Sequence, residues 1–194
     1  MNDYKTNIQG YLNKLQDTIK NLNIDEINTF INLLVQARDN DKNIFIMGNG
    51  GSAATASHFT GDFNKGASYQ YDQFKRFKFI CLNDNLPTIL AYANDVSYED
   101  IFVEPLKNFF KPGDLVIGIS GSGNSKNILK TIEYANQNGG ITFGLVGYNG
   151  GRLKQIAQSC IHININDMQI TEDLHMVMDH LIMKVLCDSM ISNG

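Results

Sequence analysis

Two glycine-rich, serine-bearing loops each follow a short apolar run, and nothing else in the chain constrains its fold as strongly. The first run is Ile44-Phe45-Ile46-Met47, continued by Gly48-Asn49-Gly50-Gly51-Ser52-Ala53-Ala54. The second is Leu115-Val116-Ile117-Gly118-Ile119, continued by Ser120-Gly121-Ser122-Gly123-Asn124-Ser125. Apolar runs without polar alternation suit strands covered on both faces. Glycines let the backbone turn sharply and approach a ligand closely. A helix starting after each loop adds unpaired N–H groups and a partial positive end, which suit an anion. Serine and asparagine add neutral hydrogen bonds around it. Together the loops imply one phosphorylated, hydroxyl-rich small molecule in one pocket.

The rest of the chain reads as strands alternating with helices. Apolar steps of three and four over 4–22 predict an amphipathic helix through Tyr4, Ile8, Tyr11, Leu12, Leu15, Ile19 and Leu22. It has no strand of its own to cover, so its stripe is free to dock on another subunit. A second helix is expected over 25–38 and a third over 52–65, with a polar, tyrosine-rich loop near 66–73. Strands are expected at 43–47, 77–82, 115–119, 141–146 and 161–163. Pro87 opens a helix that breaks at 94–100 and resumes over 99–110. Further helices are expected over 125–138, after Asn149-Gly150-Gly151 and over 171–191. This order predicts an α/β fold: a five-stranded parallel sheet covered by helices on both faces, preceded by two further helices. Ligands then bind beyond the carboxyl ends of the strands, where both glycine loops fall.

Composition removes several function classes. The chain has 194 residues and a net charge of −4, and its only basic cluster is Lys75-Arg76-Phe77-Lys78. That cluster reads as a solvated strand edge, and no nucleic-acid partner is expected. No apolar run approaches the ~20 residues of a membrane span, and Met1-Asn2-Asp3-Tyr4-Lys5 has no secretory apolar core. Cys81, Cys160 and Cys187 are far apart and form no metal or redox pair. Buried free thiols in the cytoplasm are the expectation.

The first loop formally satisfies a dinucleotide fingerprint, Gly48-x-Gly50-x-x-Ala53. That fingerprint needs an acid about 20 residues on. The acid nearest the end of the second strand is Asp84, which is too distant. Neither loop is followed by Gly-Lys-Ser/Thr, so a Walker phosphate loop is excluded. No nucleotide cofactor is expected.

The first loop followed by His58, then Ala93-Asn94-Asp95, the second loop, Asp173-x-His175 and His180 resemble the phosphoheptose isomerases of the sugar isomerase (SIS) domain family. The resemblance covers nearly the whole chain and implies a flavodoxin-like three-layer α/β/α sandwich around the five-stranded parallel sheet, with extra N-terminal helices. It implies a single SIS domain over 1–194, with N-terminal helices 4–38, sheet core 43–163 and C-terminal helix 171–191. It implies an aldose–ketose isomerase acting on sedoheptulose 7-phosphate, in a homotetramer with active sites at subunit interfaces. By motif match, Ser120, Ser122 and Ser125 hold the phosphate. Asn49, Gly50, Ser52 and Asp95 meet the sugar hydroxyls or the loop around them, with Asn94, Gly121 and Glu172 in the same substrate-binding set. The catalytic pair falls on Asp62 and His180. Some members bind zinc with two histidines, a glutamate and a glutamine, which places His58, Asp62, Glu172 and His180 as metal ligands. The chain departs from the family pattern here. Asp62 stands at the glutamate, Glu172 at the glutamine, Gly66 at an arginine, Gly121 at a threonine and Gln169 at an aspartate.

The residue types suit that chemistry. Isomerising a 2-ketose moves a proton from C1 to C2 while charge builds on oxygen, so it needs acid/base groups and an electrophile. His58 and Asp62 are four apart on an expected helix and share a face. With Glu172 and His180 they make two histidines and two carboxylates, a set for one divalent metal per subunit, zinc favoured. His175 competes with His180 as ligand. His162 reads as a core or edge histidine. Asp179 reads as a solvated helix charge or a partner orienting an imidazole. Two other readings compete: an isomerase of a different sugar phosphate, or a non-catalytic module that senses a sugar phosphate or docks a protein. Four convergent ionisable groups speak for the enzyme.

Overall fold

The structure is a computed structural model and describes residues 2–67 and 75–192. Most of the tyrosine-rich loop expected near 66–73 lies outside the described residues. The chain opens with α1 (Lys5–Lys20) and α2 (Ile24–Asp39). Helix α2 starts cleanly because the Asn23 side chain accepts from the N–H groups of Asp25 and Glu26. Then follow β1 (Ile44–Gly48), α3 (Gly51–Gly61), a π-helical turn (Asp62–Gly66), β2 (Phe79–Cys81) and α4 (Leu86–Asp95). A 3-10 turn (Tyr98–Asp100) and α5 (Val103–Lys107) precede β3 (Leu115–Ser120) and α6 (Lys126–Gln137). The chain ends with β4 (Ile141–Val146), α7 (Gly151–Ile156), β5 (Ser159–His162) and α8 (Met168–Ser192).

The five strands form one parallel sheet in the order β2-β1-β3-β4-β5. Helices cover both faces, which is the expected three-layer sandwich. One face packs under α2, α3 and α8, where Phe30 stacks on Phe143 at 4.1 Å between ring centres. The other packs under α4 to α7, around Phe45, Met47, Phe102 and Ile128. Strands β1 and β3 are buried along their whole length, which explains their lack of polar alternation.

Several boundaries differ from the expectation. The final helix starts at Met168, not 171, because the Asp167 carboxylate accepts the Ile170 N–H at 3.2 Å and so caps it. The second strand shrinks to Phe79–Cys81. The helix expected over 99–110 is a 3-10 turn and one short helix, the turn held by Ser97 bonding both Glu99 and Asp100. Helix α1 buries no residue. It is tied to α8 by the Tyr11 hydroxyl, which donates to Asp173, and by Lys14, 2.7 Å from Asp167.

The basic cluster behaves as a solvated edge: Lys75, Arg76 and Lys78 are exposed while Phe77 is buried beneath Arg38. His162 lies on the edge strand β5, bonded to Lys154 and the Tyr148 carbonyl. All three cysteines are free. Cys81 is buried, and burial pushes its thiol up to about 12; Cys160 and Cys187 are only half-buried. Among the described residues, no helix is long and apolar enough to cross a membrane.

Candidate active site

The connection from β1 runs outward to β2 on one side, and the chain then returns to β3 on the other. The loops leaving β1 and β3 therefore flank a topological switch point, where such sheets open a crevice. In register, Gly48 pairs with Ile119, so both loops begin side by side.

The β1 loop delivers the first turn of α3, and no side chain caps it from within the loop. The Glu172 carboxylate lies against it instead: a Cβ on Gly51 would stand 2.5 Å from Glu172 Oε2. A carboxylate is favoured at this positive helix end. Asn49 is fixed by reciprocal amide hydrogen bonds with Asn127, each 2.9 Å, and accepts from the Tyr98 hydroxyl.

The β3 loop is tied together through Ser120. Its hydroxyl accepts the Gly123 N–H at 3.1 Å and lies 3.2 Å from Ser125 Oγ. Gly121 leaves room for Met168, whose sulfur would be 2.7 Å from any Cβ there. That contact gives a packing reason for the loss of the family's threonine. Asn49, Ser52, Ser120, Ser122, Ser125 and Glu172 line one small cavity of ≈ 110 Å³. This gathers most of the substrate-binding set expected from the sequence. Asn94 and Asp95 are exposed at the end of α4, bonded to each other, and do not line the cavity. Gly50 is exposed in the loop with a φ of +55°.

Helices α3 and α8 hold the ionisable residues. His58 and Asp62 share a face of α3, and the helix widens into its π turn at Asp62. Such widened turns recur at functional sites. His58 Nε2 lies 3.0 Å from His180 Nε2, with the rings near edge-on. Asp62 Oδ2 lies 3.6 Å from the His58 nitrogen and 3.8 Å from that of His180. Both imidazoles are exposed. Glu172, expected with these three, lies outside their group. Asp179 joins it, so that single ligand atoms of His58, Asp62, Asp179 and His180 all lie within 4.8 Å of one another.

Asp179 is fully buried and neither oxygen has a hydrogen-bond partner. Burial, and secondarily the charge of Asp62, pushes its carboxyl up to about 8. It is therefore neither a solvated helix charge nor hydrogen-bonded to an imidazole. The signal that could have found it is its position beside His180. His175 is also fully buried, with both ring nitrogens unpartnered, and burial pushes it down to about 4. It does not enter the group and so does not substitute for His180. Two imidazoles and two carboxylates, one of them buried and unpartnered, are a donor set that fits a divalent transition ion.

The SIS domain family profile matches residues 4–147. The chain is 36% identical over 166 residues to a probable phosphoheptose isomerase of Thermoplasma acidophilum, covering 84% of this chain and 87% of that one. It is 32% identical over 185 residues to a phosphoheptose isomerase of Helicobacter pylori, covering 95% and 88%. In fold it is similar to a phosphoheptose isomerase from Francisella tularensis, with a TM-score of 0.86 at 21% identity, over 96% of this chain and 100% of that one.

Proposed function

The chain belongs to the SIS domain family, and we infer that it is an aldose–ketose isomerase converting sedoheptulose 7-phosphate to D-glycero-D-manno-heptose 7-phosphate through an enediol-type intermediate. The observation that carries the reading is the pairing of a serine-lined anion cavity with a solvent-open cluster of His58, Asp62 and His180. A module that only sensed a sugar phosphate would have no use for that cluster.

In this reading Ser120, Ser122 and Ser125 bind the phosphate with backbone N–H groups of their loop. Asp62 and His180 carry the proton between C1 and C2. A divalent ion, zinc favoured by the donor types, would be held by His58, Asp62 and His180 and would polarise the carbonyl and its neighbouring hydroxyl. Glu172 faces the sugar from the cavity wall.

The active unit is a homotetramer with sites at subunit interfaces. Support comes from α1, where Tyr4, Ile8, Leu12 and Ile19 stay exposed along one stripe. The compartment in this reading is the cytoplasm, which suits three free cysteines.

The test is turnover of sedoheptulose 7-phosphate by purified protein, before and after chelation and with zinc restored. Turnover lost on chelation and regained with zinc supports both reaction and metal. No turnover with any divalent ion overturns the substrate assignment.

A further inference from the structure

We propose that Asp179, rather than Glu172, is the fourth protein ligand of the divalent ion in this chain. The proposal rests on the reading of His58, Asp62 and His180 as ligands and adds the residue that completes them.

Geometry comes first. Around zinc with bonds of 2.0–2.1 Å, neighbouring ligand atoms of a tetrahedron are about 3.3 Å apart. The three contacts among His58, Asp62 and His180 measure 3.0, 3.6 and 3.8 Å, which brackets that edge. Asp179 offers an oxygen within 4.8 Å of all of them, so a small rotation of its side chain closes the set.

Its surroundings point the same way. The Asp179 carboxylate is fully buried and no donor meets either oxygen. A buried carboxyl with no partner keeps its proton, and a bound cation displaces that proton and takes its place. Among the described residues no lysine or arginine is paired with it. A divalent cation amid His58, Asp62 and His180 supplies the missing partner. Two carboxylates and two neutral imidazoles also balance its charge.

Glu172 is placed elsewhere. It stands seven residues before Asp179 on α8, about 10 Å along the axis. Its carboxylate lies against Gly51 and lines the serine cavity. The carboxylate that replaces the family's glutamine is therefore a substrate-side group, and Asp179 takes up the metal.

Zinc binding to the full-length protein tests this without reference to turnover, by equilibrium dialysis and by the visible absorption of the cobalt-loaded form. Asp179→Asn is expected to weaken zinc binding by more than about tenfold and to shrink the zinc-induced rise in melting temperature. Because the substitution removes an unpaired buried carboxyl, the metal-free variant is expected to melt no lower than the wild type. Asp179→Leu, which removes every donor atom, is the second variant and is expected to match it in zinc binding. Glu172→Ala, which leaves no donor atom at that position, is expected to keep zinc affinity within about twofold, far inside the loss expected for a ligand. Wild-type zinc affinity in both Asp179 variants, lost affinity in Glu172→Ala, or no zinc bound by the wild type would each overturn the proposal. A protein that binds zinc in the expected pattern but does not turn over sedoheptulose 7-phosphate supports the ligand assignment and overturns only the substrate assignment.

Discussion

His58 and His180 meet through their Nε2 atoms at 3.0 Å although 122 residues separate them in sequence. Two protonated nitrogens cannot face each other at that distance. Either one nitrogen donates to the other, or both turn to a shared cation. Asp62 sits within 3.8 Å of both, so the three side chains act as one unit.

Removing the carboxylate from that unit should stop proton transfer without harming the fold, since Asp62 is only half-buried. Asp62→Asn is expected to lower kcat for sedoheptulose 7-phosphate by about 10²–10⁴. Steady-state kinetics check it, and unchanged turnover removes Asp62 from the mechanism.

The serine loop should act on binding. Ser122 and Ser125 line the cavity, and each hydroxyl keeps capacity beyond its bond within the loop. Ser125→Ala is expected to raise KM about tenfold, the worth of one hydrogen bond to a charged group, with kcat within about threefold. A fall in kcat at unchanged KM would count against phosphate binding here.

Gly123 holds the loop's shape. Its φ is +66°, and a Cβ there would stand 2.0 Å from the Gly150 carbonyl oxygen, a backbone atom with no freedom to yield. Gly123→Ala is expected to cost more than about 2 kcal/mol. In a chain of this size that lowers the melting temperature by at least about 4–8 °C.

His175 should make stability fall in acid. Its folded pKa is about 4 against 6.5 for the free side chain. Between those values the unfolded chain binds a proton that the folded chain does not. Stability is therefore full above pH 6.5 and is lost as pH falls toward 4, by up to about 3 kcal/mol. Asp179 works in the opposite sense across the same window, with its carboxyl raised to about 8. The quantity to measure is thus the pH dependence of wild type minus that of His175→Met, in which Asp179 cancels. A flat difference from pH 4 to 6.5 would count against a neutral buried imidazole.

The α1 stripe should matter to assembly. Ile8 and Leu12 are both exposed, with no partner helix over them among the described residues. Ile8→Lys with Leu12→Lys is expected to shift the light-scattering mass from four chains to fewer and to reduce turnover with it. An unchanged mass would take α1 out of the interface.

The architecture was legible because its signals are local. Short unbroken apolar runs at 44–47 and 115–119, each closed by a glycine turn, suit strands covered on both sides, and the glycine loops after them mark the ligand end of the sheet. The serine cavity was legible for the same reason, since Ser120, Ser122 and Ser125 come from one loop. Helix boundaries were less so. The last helix, expected from 171, begins at Met168, because the bond from the Ile170 N–H to Asp167 that caps it depends on how the chain enters the helix.

The ionisable cluster divides along the same line. That His58 and Asp62 share a helix face follows from their spacing of four, whatever the rest of the chain does. Which residues of α8 join them does not, because Glu172, His175, Asp179 and His180 all offer suitable donors in sequence. The packing of α8 against α3 and the sheet decided it. It buried His175 and Asp179, set Glu172 against Gly51, and left His180 facing His58. Residue types and local spacing determine which chemistry is available. Only the rotation and depth of one helix on another determine which of those groups share a few ångströms, and that depends on contacts more than a hundred residues apart.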